Sequence, residues 1–119
     1  MEYITADELF QRIQAALDAQ GPGVANRILH DTLALCCHEG LRGTRHAFGN
    51  LSSQVDFLCR ERHIVPRDVQ AIQRMRRHSN TDEPLSPDDL RYDCRALALF
   101  VSAVFRVSVP ASLVGRIPV

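Results

Sequence analysis

The chain has 119 residues, 45% hydrophobic and 24% charged, which is enough for one core and too short for two. Its 14 cationic side chains balance 14 acidic ones, which excludes a global field drawing it to nucleic acid or an anionic membrane. No apolar run approaches about eighteen residues and none follows a basic amino-terminal segment, so a cytoplasmic protein is expected, neither secreted nor membrane-spanning.

The elements follow in chain order. Thr5-Ala-Asp-Glu8 reads as a capping box, and Leu9, Ile13, Ala16 and Leu17 recur at helical spacing behind it, so a first helix is expected over about 5–19. Gly21-Pro22-Gly23 breaks it. Val24, Ile28 and Leu35, with Leu29 and Cys36 alongside, predict a second helix over about 23–38, apolar round much of its circumference and therefore central, with Gly40 as its stop. A third helix over about 43–63 puts Phe48, Leu51, Val55, Leu58 and Cys59 on one face and Phe57 on the other, where it could meet a partner surface or a neighbouring helix. Pro66 opens a fourth that runs to about residue 79. Ser86-Pro87-Asp88-Asp89 supplies a cap, a first-turn proline and two dipole-compatible acids for a fifth, with Leu90, Cys94, Leu97, Val101 and Val104 on its stripe. Beyond Arg106, prolines and β-branched residues predict an extended tail. The expected architecture is all-α, an antiparallel bundle of about five helices. Residues 1–106 are expected to form the bundle, and 107–119 either an extended tail or linker toward a downstream domain or, equally, a tail that packs back on the helices.

All 14 cations are arginine, a bias that suits phosphate and carboxylate contacts but that a GC-rich genome also produces. On the fourth helix, Val69, Ile72, Met75 and Ser79 share an arc with Arg76 near its middle and Asn80 at its edge, while Arg67, Arg74, Arg77 and His78 fall opposite. Asp93 lies in the apolar arc of the fifth helix, beside Leu90, Leu97 and Phe100. An arginine among apolar neighbours needs a partner, so Arg76, Asp93 and Asn80 are expected to form a buried polar lock between the two helices.

Arg42 and Arg45, with Arg60 and Arg62 at the other end of the third helix and Arg74 and Arg77 on the fourth, are candidate phosphate contacts, although a solvated face is the commoner explanation of such clusters. Cys36, Cys37, Cys59 and Cys94 have neither a disulfide-framework nor a C-x-x-C spacing and are expected as reduced, buried thiols. His30, Cys36, Cys37 and His38 match no zinc ribbon or finger, so no metal and no cofactor is expected. No nucleophile shows a neighbouring histidine and carboxylate, and no catalytic residue is assigned.

Segment 72–105 resembles the carboxy-terminal half of HEPN-type helical domains, which pair a helix ending in arginine, with asparagine four residues later, with a capped apolar final helix. Arg76 and Asn80 match that pattern, and Ser86 with Asp88 or Asp89 matches the cap. Nuclease members place a histidine a few residues beyond the arginine; here residues 80–84 carry none, and the resemblance loses the residue that shuttles the proton. What it still implies is an accessory module, often dimeric through its final helices, beside a nucleotide- or nucleic-acid-processing domain. Residues 48–59 and 95–105 look like amino-terminal regions that precede helicase-type ATPases in some bacteria. This chain contains no phosphate-loop motif, so an ATPase would lie beyond Val119. The expected function is a non-catalytic interaction module with a protein partner or downstream domain, and with a weaker possibility of nucleic acid. The alternatives are a HEPN-type ribonuclease or RNA-binding domain using Arg76, and a free-standing homodimer of structural use.

Overall fold

The computed structural model describes residues 3–21, 23–81 and 83–118; Pro22 of the predicted break, Asp82 in the loop after the fourth helix and Val119 of the tail lie outside them. Thr5 caps α1 (Ala6–Asp18) by accepting from the Glu8 amide at 3.2 Å. Gly23, with φ of 78°, leads into α2 (Val24–Gly40). The buried line of α2 is Leu29, Leu33, Cys36 and Cys37, whereas Val24, Ile28 and Leu35 sit at its margins. The helix packs against α1 and three later helices, which gives it the expected central place.

The third segment divides. Arg45–Phe48 forms one 3-10 turn, and α3 runs only over Leu51–Glu61. Gly49 is extended, and Asn50 caps the new helix by accepting from the Ser53 amide at 2.8 Å. Gln54 then holds the turn, its amide donating to the carbonyls of Ala47 at 3.0 Å and Gly49 at 3.1 Å. The expected unbroken helix is therefore corrected, and Phe48 leaves the core face with it.

Pro66 opens α4 (Pro66–Ser79) and Ser86 caps α5 (Pro87–Phe105), accepting from the Asp89 amide at 3.1 Å. In α5, Cys94, Ala96, Leu97, Ala98, Phe100, Val101 and Val104 are buried, and the helix packs against α1, α2 and α4. The expected extended tail holds only to Pro110. Pro110 there starts a one-turn α6 (Ala111–Val114), and Leu113 is wholly buried. Arg116 pairs with Asp18 of α1 at 2.5 Å, and Gln14 donates to Ser112 at 3.2 Å, so the tail lies back on the first helix.

The result is an all-α bundle with one contiguous core and, among the described residues, no strand. Its radius of gyration is 13.2 Å, close to the ~13.5 Å of one compact domain of this length.

Candidate functional site

The predicted lock exists with a different member. Asp93 is buried, 4% exposed, and its Oδ2 lies 2.8 Å from His78 Nδ1. Arg76 instead donates from Nε to Gln73 Oε1 at 2.6 Å, within its own helix. Asn80 is exposed and its backbone amide closes the end of α4 on the Arg77 and His78 carbonyls. Arg76 and Asn80 therefore do not complete Asp93. The helical wheel failed because α4 packs against α2, α3 and α5, so its circumference has more than one covered sector. His78, assigned to the open side, faces α5.

Beside this pair, Arg74 reaches Asp89 at 3.7 Å. Burial pushes the Asp93 carboxyl above its ordinary range, while the His78 bond and the charges of both His78 and Arg74 pull it back and Asp89 adds to the rise. The bond between His78 Nδ1 and Asp93 Oδ2 fixes the plane of the imidazole and leaves Nε2 as its other ring nitrogen. The side chain of His78 is 29% exposed, so solvent reaches the ring. Chemically the cluster is an oriented imidazole on an interhelical joint.

An asparagine does span two elements, but it is Asn26. Buried in α2, it donates to the Thr81 carbonyl at 3.1 Å and the Glu83 carbonyl at 2.7 Å, fixing the α4–α5 loop on α2. Its sequence signal was an amide between Val24 and Ile28, inside an apolar pattern.

The candidate phosphate contacts are mostly engaged. Arg42 pairs with Glu39 at 2.7 Å and sits 4.2 Å over the Tyr3 ring; Arg60 reaches Asp56 at 3.6 Å. Arg62 is half-buried and donates to the Val104 carbonyl at 3.3 Å, satisfying the end of α5. Arg45 and Arg77 are exposed, and Arg77 lines a 510 Å³ groove along α4 with Arg67, Gln70 and Arg74. The six do not share one groove.

The most exposed large apolar side chain among the described residues lies elsewhere. Phe48, at the end of the 3-10 turn, is 91% exposed and borders a 510 Å³ groove lined by His38, Arg42, Thr44, Arg45 and Ala47. His38 also lines a 550 Å³ groove with Arg12, Asp31, Leu35 and Gln54. Of the two surroundings expected for Phe57, the structure shows a neighbouring element of the chain: Phe57 packs against the core, and His46 stacks on it with centroids 3.8 Å apart and planes 19° from parallel. Leu99 lines a 160 Å³ apolar pocket with tail residues Val109, Val114 and Ile117.

All four cysteines are buried free thiols. Burial pushes Cys37 and Cys94 up to about 12, Cys59 to about 11 and Cys36 well above the ordinary thiol value, which leaves them poor nucleophiles. Among the described residues, no three His, Cys, Asp or Glu side chains gather as a metal site, and no helix is long and apolar enough to cross a membrane. Comparison of the chain with protein-family models, curated proteins and solved structures finds no match in any of the three. The class defined by the fold is an all-α helical bundle.

Proposed function

We propose that this chain is a HEPN-like helical interaction module without a catalytic centre of its own, the accessory amino-terminal domain of a larger bacterial nucleic-acid-processing protein of helicase or ATPase type. The observation that carries the reading is Phe48, left 91% exposed on a turn that Gln54 holds in place. Burying such a ring is worth about 1.5–3 kcal/mol, and a rigid exposed aromatic with an arginine rim is how interface anchors are built. Arg45 and His38 supply that rim. Phe48→Ser is expected to leave the melting temperature unchanged while weakening association with the downstream domain by about tenfold or more, read by titration calorimetry. Unchanged association removes Phe48 from the interface. A reading frame that continues past Val119 into a phosphate-loop ATPase is expected, and a stop codon directly after Val119 sinks the accessory-domain reading.

One observation favours the second reading, a HEPN-type ribonuclease or RNA-binding domain using Arg76. His78, which Asp93 orients, stands two positions beyond Arg76, and this reading would give it the supporting role. Cleavage of single-stranded or structured RNA that is abolished both by Arg76→Ala and by His78→Ala would replace the first reading with this one.

A further inference from the structure

We propose that the outward row of α4, formed by Arg67, Gln70, Arg74 and Arg77, is a sequence-independent contact for the phosphate backbone of a nucleic-acid strand. The four are spaced by three, four and three residues, so they line one face of the helix, and all four are exposed. On the other side Ile72, Met75 and Ser79 are buried, and the Gln73 amide donates to the Ser52 carbonyl of α3 at 3.2 Å, so the row stands on an anchored helix. At about 1.5 Å of rise per residue, its three arginines extend over roughly 15 Å. Each strand carries one phosphate per about 3.4 Å of duplex axis, so the row spans several of them.

Little of this charge is used inside the fold. The chain is neutral, with 14 cations and 14 acids, yet α4 sets four arginines against a single carboxylate, Asp68. Arg67 stands in the first turn, at the positive end of the helix dipole, where a cation is unfavourable. Arg77 suits its place in the last turn, but it lies one turn from Arg74, and like charges at that spacing repel. Neither Arg67 nor Arg77 has an acidic side chain within 4.0 Å among the described residues. Arg74 reaches Asp89 at 3.7 Å, but those side chains are 62% and 46% exposed, so an anion displaces the contact at little cost. No carboxylate lines the 510 Å³ groove along the row. A merely solvated helix face interleaves acids with its cations at these spacings, and this one does not.

The side chains of the row select the partner. A guanidinium donates to phosphate oxygens in bidentate fashion, and the Gln70 amide adds a neutral donor between Arg67 and Arg74. A protein interface centres on an aromatic or aliphatic anchor, and a helix lying on a membrane presents large apolar side chains. None of the exposed large apolar side chains among the described residues lies within α4. With no aromatic ring on the row there is nothing for a base to stack on, so the contact is to backbone and carries no sequence preference. The row shares no residue with the Phe48 groove, and Arg76 lies outside it, so either reading of the chain's function can fail without this contact failing, and the reverse.

The test is a salt series read by fluorescence anisotropy, with the full chain titrated into a labelled oligothymidine of about twenty nucleotides and into a mixed-sequence duplex of the same length. Three phosphate contacts predict that log K falls against log salt with a slope of about −2 on the single strand and nearer −3 on the duplex. Arg67→Gln and Arg77→Gln are each expected to weaken binding about fivefold at 0.1 M salt and to flatten the slope by about 0.7–1, while Arg67→Lys keeps the slope. Asp89→Asn, which releases Arg74, should tighten binding, and Arg12→Gln on α1 should leave it unchanged. Arg67→Gln is also expected to melt no lower than the parent chain, which separates lost contact from lost fold. Binding that is flat in salt, or unmoved by both Arg67→Gln and Arg77→Gln, overturns the proposal. A polyglutamate peptide of equal charge that binds as tightly assigns the row to an acidic protein instead, and binding that only Arg76→Ala abolishes moves the contact to the site of the second functional reading.

Discussion

The exchange of Arg76 for His78 as the partner of Asp93 changes what each residue is worth. Removing His78 leaves a buried carboxylate whose remaining help comes from Arg74, so His78→Ala is expected to cost about 1–3 kcal/mol at neutral pH. Arg76→Ala loses only a bond within α4 from a half-buried side chain, and a cost under about 1 kcal/mol is expected in the same urea titration. The ranking reverses if Arg76 carries the joint. The sign of the pH dependence follows from burial: Asp93 holds its proton more tightly folded than unfolded. Its contribution to stability is therefore full below the ordinary carboxylate range and lost as pH rises through the elevated folded value. The penalty of His78→Ala should accordingly shrink below about pH 4, where Asp93 is protonated. That a polar joint ties α4 to α5 was legible in the sequence, because Asp93 sits in an apolar stripe. Its partner was not, because a wheel assigns one buried face to a helix that here has several neighbours.

Helix ends were the most readable feature at the next scale. Thr5, Pro66 and Ser86 each sit where a short-range hydrogen bond or a fixed φ decides the start, and these depend on a few adjacent residues. The break before α3 escaped because Phe48 and Leu51 stand at helical spacing in the sequence, and apolar spacing alone does not register the turn that carries Phe48 off the core face. Gly40 is a subtler case. Its stop lies one residue later than expected of a left-handed cap, since Gly40 itself is the last helical residue of α2. Its lack of a side chain serves packing: a Cβ there would stand 2.8 Å from Val104 Cγ1 and 3.3 Å from both δ carbons of Leu58. Gly40→Ala is therefore expected to destabilise by about 1–3 kcal/mol, with most of the loss recovered when Val104→Ala makes room. Additive effects in that double-mutant cycle would show that the contact is not the cause.

For the whole molecule, the segment after Arg106 decides where the folded unit stops. Prolines and β-branched residues left 107–119 open between a linker and a tail packed back on the helices, and a single leucine marks the second. Leu113 is wholly buried in the core cluster, with Val109 and Ile117 packed beside it. The polar contacts of the same segment are of another kind: the side chains of Asp18 and Arg116 are 66% and 37% exposed, so their ion pair is largely screened by solvent. Arg116 holds the Asp18 carboxyl below its usual range, chiefly through the hydrogen bond between them, but a contact so open to water fixes geometry more than stability. If 111–118 belongs to the bundle, Leu113→Ala should lower unfolding free energy by about 2–5 kcal/mol, the range for an emptied leucine site, and do so without changing the slope of the urea transition. Asp18→Asn should shift neither midpoint nor slope measurably. The opposite pattern, a silent Leu113→Ala, would return the segment to the status of a linker resting on α1.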